Sequence, residues 1–144
     1  MPYISTNDLL TQISSNDLAK LCGDPTGANI DEIKVGAAIA SADSLINAYL
    51  SGRYAISEST NEHLIKHIST ELTIFNLYSY KYVNSFVPSE ILSRKLDAIK
   101  LLDDIYRGKI IINSIERINR IHSNQSGNKY FRDENLEEFR NYRE

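Results

Sequence analysis

Residues 46–56 read "INAYLSGRYAI". An apolar run of helical character meets Gly52, and Arg53 and Tyr54 follow at once. Two readings compete: a loop that grips a phosphate or nucleic acid, or a helix stop. No glycine pattern that cradles phosphate and no basic surroundings accompany the stretch. Gly52 therefore reads as the residue just past the end of a long helix. Arg53 is expected to bond nearby carbonyls or acids, and Tyr54 to pack on the bundle.

Upstream, Asn29 and Glu32 form an N-cap and N3 pair for a helix over roughly 30–51. Its inner stripe is Ile33, Ala37 or Ala38, Ala42, Leu45 or Ile46, and Tyr49. Its middle, "VGAAIASA" (35–42), is nearly all small, which allows another backbone to come close. Before it, Ser5–Asp8 and Ser14–Asp17 are two start signals for short helices, with Leu9, Leu10 and Ile13, then Leu18 and Leu21, as apolar faces. Gly23 ends the second, and "GDPTGAN" (23–29) is a turn.

Downstream, Ser59–Glu62 is a third start signal, followed by Leu64, Ile65, Ile68, Leu72, Phe75, Tyr78 or Ser79, and Tyr82 on one stripe. Pro88, Ser89 and Glu90 open a further helix with the stripe Leu92, Leu96, Ile99, Leu102 and Tyr106, closing at Gly108. After Gly108 come Ile110, Ile111 and Ile112, β-branched residues that favour an extended arm or small hairpin. "DENLEEFRNY" (133–142) fits a last short helix capped by Asp133. The expected fold is mostly α: a small bundle of two short N-terminal helices and two or three long antiparallel ones over 1–108, with an extended, partly β C-terminal arm over 109–144.

At 144 residues with a net charge of −3, the chain suits one globular domain and offers no basic face for a duplex. A helical DNA-binding regulator is disfavoured on that ground. The acidity is uneven: residues 1–60 hold seven acids and three bases, and the remainder is close to balance. Cys22 is the single cysteine, flanked by Leu21, Gly23 and Asp24, and reads as a small apolar filler rather than a nucleophile. No stretch has the roughly 18 apolar residues of a membrane span. The chain reads as soluble and cytoplasmic, with no membrane partner.

Chemistry-bearing patterns are few. His63, His67 and Glu71 fall at i, i+4 and i+8, so one helix face can present two imidazoles and a carboxylate to a metal. The residues between the histidines are Leu64, Ile65 and Lys66, so the general base of a metalloprotease helix is missing. A metal-binding module or metal-dependent enzyme on these three residues is the alternative function. "GDPTGAN" fails the spacing of a calcium loop, and no nucleophile elbow G-x-S-x-G occurs. Tyr78 and Tyr82 can share an inner face, which leaves Tyr80 on another and makes it an interface candidate.

Several short motifs together carry a resemblance. They are Tyr3, Asp8 and Leu9 at the start, Ile30-Asp31-Glu32 at the opening of the long helix, and Tyr49 to Tyr54 at its exit. Leu102, Ile105, Gly108 and Lys109 close the next long helix, and "YFRDENLEEF" (130–139) lies near the C-terminus. The pattern resembles the Mu-like phage head-completion family, small head–tail connector (neck adaptor) proteins of tailed phages. The Pro that often follows Gly-Arg-Tyr in that family is Ala55 here.

The resemblance implies a non-enzyme without cofactor, a structural subunit of the virion neck that is assembled in the host cytoplasm. Such a subunit forms a homo-oligomeric ring beneath the portal protein, and a downstream neck or tail-terminator protein docks on it. Genomic DNA passes its channel without sequence-specific binding, which an acidic N-terminal half would favour. Gly52, Arg53 and Tyr54 are then structural positions. Tyr80 and the arm residues Tyr130, Phe131, Leu136 and Phe139 are interface candidates.

Overall fold

The computed structural model describes residues 2–54, 63–83 and 86–112. Five helices follow in order: α1 (Thr6–Leu10), α2 (Ser15–Leu21), α3 (Glu32–Leu50), α4 (His63–Lys81) and α5 (Ser89–Tyr106). The described residues are mostly helical and contain no sheet. The start signal at 59–62 and all of 113–144, including the expected hairpin and last short helix, lie outside them.

The helix ends are built by short polar residues. The Asp8 carboxylate accepts from the Ser5 amide and hydroxyl at 2.7 Å each, which closes a capping box on α1. Ser14 Oγ accepts from the Asp17 amide at 3.1 Å to open α2. Asp31 caps α3, accepting from Ile33 at 3.1 Å and Lys34 at 3.2 Å. This corrects the expected Asn29 and Glu32 pair: the cap sits two residues later, and the Glu32 carboxylate accepts from the Thr6 hydroxyl at 2.8 Å. Three of the seven acids in the first 60 residues, Asp8, Asp17 and Asp31, stand at helix starts, where a negative charge is favoured.

Two helices close in Schellman motifs. After α2, Gly23 has φ +104° and the Asp24 amide donates to Ala19 O; after α5, Gly108 has φ +76° and the Lys109 amide donates to Asp104 O. Between α2 and α3 the Asp24 carboxylate gathers the turn. It accepts from Thr26 N at 2.9 Å, Thr26 Oγ1 at 2.6 Å, Ala28 N at 3.2 Å and Asn29 N at 2.8 Å.

The three long helices run antiparallel in sequence order. Ser69 meets Asp43 and Asn76 meets Ala38, so α4 descends along α3; Arg94 meets Glu71, so α5 returns along α4. The core has two parts. At one end Ile46, Leu50, Tyr54, Ile65, Ile68, Leu102, Ile105 and Ile112 pack together. At the other, Leu9, Leu18, Leu21, Cys22, Val35, Ile74 and Leu77 tie α1 and α2 to α3 and α4. Burial raises the Cys22 thiol above its ordinary range, as befits an inert filler.

A polar seam runs between α3 and α4. Asp43, mostly buried, accepts from Ser69 Oγ at 3.0 Å and from the Tyr3 amide at 3.2 Å; burial pushes its carboxyl up. Five residues back along α3, Asn76 Nδ2 donates to Ala38 O at 3.1 Å. The small residues of α3 let α4 come near enough for these short side chains to reach.

Helix α5 departs from its expected stripe. Ala98, Leu102 and Ile105 face the core, whereas Leu92, Leu96 and Tyr106 are 44%, 57% and 52% exposed. Its apolar sector is wide, and the bundle covers one flank of it. In α3, Ile33 is likewise exposed rather than inner, and in α4 Phe75 is half-buried beneath Lys95 Nζ at 3.9 Å from the ring centre.

Candidate assembly site

Two of the resemblance-bearing motifs, Tyr49 to Tyr54 and Leu102 to Lys109, meet where α3 and α5 end. Helix α3 stops at Leu50 with Ser51 as its C-cap, and the Arg53 and Tyr54 amides both donate to Leu50 O, at 2.9 and 2.8 Å. Gly52 does not take a positive φ, so it is not the left-handed stop its position implied. Its role is clearance: a Cβ there would sit 3.1 Å from Cε2 of Tyr106 on α5. Gly108, which does take the left-handed conformation, lies against the Arg53 guanidinium, with a Cβ there only 2.6 Å from Arg53 Cζ. The two helix ends are cross-fastened, each glycine receiving a side chain from the other segment.

Tyr54 is fully buried in the core beside Ile112, and its hydroxyl has no hydrogen-bond partner among the described residues. The Arg53 guanidinium also stands 5.8 Å from the Tyr54 ring centre. Lys109 Nζ pairs with Asp104 at 2.9 Å and holds that carboxyl below its ordinary range. Ile110 is partly buried, Ile111 is exposed and Ile112 is buried, so this segment leaves along the bundle in alternation.

At the N-terminus Tyr3 donates through its amide to Asp43 and through its hydroxyl to Asn47. Asp8 caps α1 and Leu9 is fully buried. Tyr3, Asp8, Leu9, Tyr54, Gly108 and Lys109 thus bond or pack within the subunit.

A family model described as Bacteriophage Mu, Gp36 matches residues 3–127. The chain belongs to that family. No curated protein matches it. Membership in the Gp36 family makes this a phage protein of structural or morphogenetic type.

The metal reading meets a structural obstacle. Glu71 is nearly buried, and Arg94 grips both its oxygens, Nε to Oε2 and Nη2 to Oε1, at 2.7 Å each. His67 is exposed and its Nδ1 stands 4.0 Å from Glu71 Oε1. His63 is also exposed, and among the described residues no group of three or more His, Cys, Asp or Glu is placed to hold a metal. The sequence reading missed Arg94, because nothing in one helix announces a partner on the next.

Of the interface candidates, Tyr80 is 47% exposed on the last turn of α4, while Tyr78 and Tyr82 stack with ring centres 6.0 Å apart. Near Tyr80 in sequence, Val83 and Phe86 are also exposed. Tyr130, Phe131, Leu136 and Phe139 lie outside the described residues. No helix among the described residues is long and apolar enough to cross a membrane.

Proposed function

We propose that the chain is a non-enzymatic subunit of a phage neck, forming a homo-oligomeric ring that docks beneath the portal protein and joins the DNA-filled head to the tail. One observation carries the reading. Helix α5 has a wide apolar sector: Ala98, Leu102 and Ile105 are buried in the subunit's own core, and Ile91, Ile99 and Leu101 pack against it. Leu92, Leu96 and Tyr106 stay open on a helix that is otherwise polar. Beside this, α3 carries no charged side chain from Val35 to Leu50 except the mostly buried Asp43. Exposed aliphatic and aromatic groups grouped on one flank of α5, in a subunit whose α3 is poor in charge, favour a protein interface over a fully solvated surface.

A contact that uses different faces of identical subunits closes into a ring when its rotation closes. In such a ring a downstream neck or tail-terminator protein docks on the face away from the portal. DNA passes the channel without sequence-specific binding. The site of action is the virion, after assembly in the host cytoplasm.

The test is electron microscopy of the full-length chain alone and mixed with the portal protein of the same phage, beside the variant Leu96→Glu. Rings or portal-bound collars from the parent chain, and their loss in a variant that keeps its helical content, are the expected pair of results. Parent chains that neither ring nor bind portal at any concentration would overturn the proposal.

A further inference from the structure

Between α2, the last turns of α4 and the start of α5 lies a cleft of about 310 Å³. Its apolar side is made by Ile74, Ile91 and the stacked rings of Tyr78 and Tyr82. Its rim carries Lys20 and Lys81, both exposed and without an ion pair among the described residues, beside Arg94. The one rim acid, Asp17, already accepts from Ser14 Oγ at 2.7 Å. In a chain of net charge −3 this is a local cationic, aromatic-floored socket.

We propose that this cleft holds the chain's own segment 133–139, "DENLEEF". That segment has four acids and no base, with Leu136 and Phe139 three apart as apolar anchors. Its charges complement Lys20 and Lys81, Arg94 being already paired with Glu71, and its anchors suit the tyrosine and isoleucine side. A cleft of this volume has room for one or two such side chains. Reach is no obstacle. Twenty residues separate Ile112 from Asp133, enough to extend roughly 65 Å, whereas α5, with 18 residues, is about 27 Å long. A tether of this kind gives an effective concentration on the order of millimolar, so a modest socket suffices within one chain and would not between chains. The docked segment keeps Leu136 and Phe139 covered in the free subunit. The inference goes beyond the ring reading and does not require it.

The experiment uses the free, full-length chain, mixed as equal parts unlabelled and nitrogen-15 protein and treated with a carbodiimide that joins lysines to carboxylates without a spacer. Coupling of Lys20 or Lys81 to Glu134, Glu137 or Glu138 within chains of one isotope is the expected product. Amide exchange over 133–142 is expected to be at least about tenfold slower in the parent than in Lys20→Glu/Lys81→Glu. Adding Glu134→Lys, Glu137→Lys and Glu138→Lys to that variant is expected to restore the protection. Absent coupling, mixed-isotope coupling that prevails, equal exchange, or failed restoration each overturns the proposal. Because all readouts are taken on free chains, failure to form rings leaves them unchanged, and their failure leaves the ring reading standing.

Discussion

Arg53 lies across the backbone of Gly108, so close that no side-chain carbon fits between them. The glycine is doubly constrained, by that contact and by its left-handed φ of +76°. Gly52, its counterpart in the other segment, is constrained only by the ring edge of half-exposed Tyr106.

The two glycines are therefore expected to differ when replaced. Gly108→Ala should cost about 1–3 kcal/mol, from the left-handed backbone and the displaced guanidinium. Gly52→Ala should stay within about 1 kcal/mol, because a surface ring can swing aside and alanine restricts the unfolded chain. Thermal unfolding of the pair decides it, and equal losses would contradict the cross-fastened geometry.

Tyr54 is buried whole, yet its hydroxyl finds no partner among the described residues. Removing an unpaired buried hydroxyl relieves a desolvation cost, so Tyr54→Phe should be neutral or more stable by up to about 1–2 kcal/mol. Tyr54→Ala opens a cavity and should lose about 3–5 kcal/mol. A marked loss in the phenylalanine variant, measured by urea unfolding, would show that the hydroxyl has a partner after all.

Arg94 and Glu71 form a two-bond clamp between α4 and α5. Arg94→Ala leaves a nearly buried carboxylate whose remaining charged neighbour among the described residues is His67. A loss of about 1.5–3 kcal/mol is expected, kept below the range for a fully enclosed pair because the Arg94 side chain is 39% exposed. Arg94→Lys should recover only part of this, since an ammonium cannot make the forked contact. The double variant Glu71→Gln/Arg94→Met should be more stable than the sum of its single changes. Additive losses would mean the two groups do not interact.

Asp24 is held at a pKa of about 2, first by the Thr26 hydroxyl and then by the Asn29 and Thr26 amides. Its folded value lies below the ordinary carboxylate value of about 3.9. Its contribution is therefore present above pH 4 and is lost as pH falls from about 4 towards 2. Asp24→Asn should unfold more readily at neutral pH and flatten that part of the acid profile. Parallel profiles for parent and variant would show that the turn does not depend on the charge.

Much of the fold was legible because it is written in local chemistry. The starts at Ser5 and Ser14, and the stops at Gly23 and Gly108, depend on residues within one turn of each other. What a single helix cannot state is which flank of a wide apolar sector its neighbours will cover. Leu92, Leu96, Ile99, Leu102 and Tyr106 make a good stripe in α5, yet of these only Leu102 is fully buried, beside Ala98 and Ile105, while Leu92, Leu96 and Tyr106 stay exposed. The same ignorance of neighbours hid Arg94 behind Glu71 and gave Gly52 the wrong duty, since clearance for Tyr106 is set by a residue 54 positions away. Asp31 outcompeted Asn29 as a cap because its carboxylate reaches two amides at once.

The seam between α3 and α4 has a mechanical consequence. The buried face of α3 has alanine at 38 and 42, and alanine gives a partner helix little to catch on. Asp43 with Ser69, and Ala38 with Asn76, act as two pegs at different heights that lock the axial setting. Each subunit is in this sense a gauge block, its length fixed by those pegs. An assembly of such blocks would inherit a uniform height without any further means of measuring it.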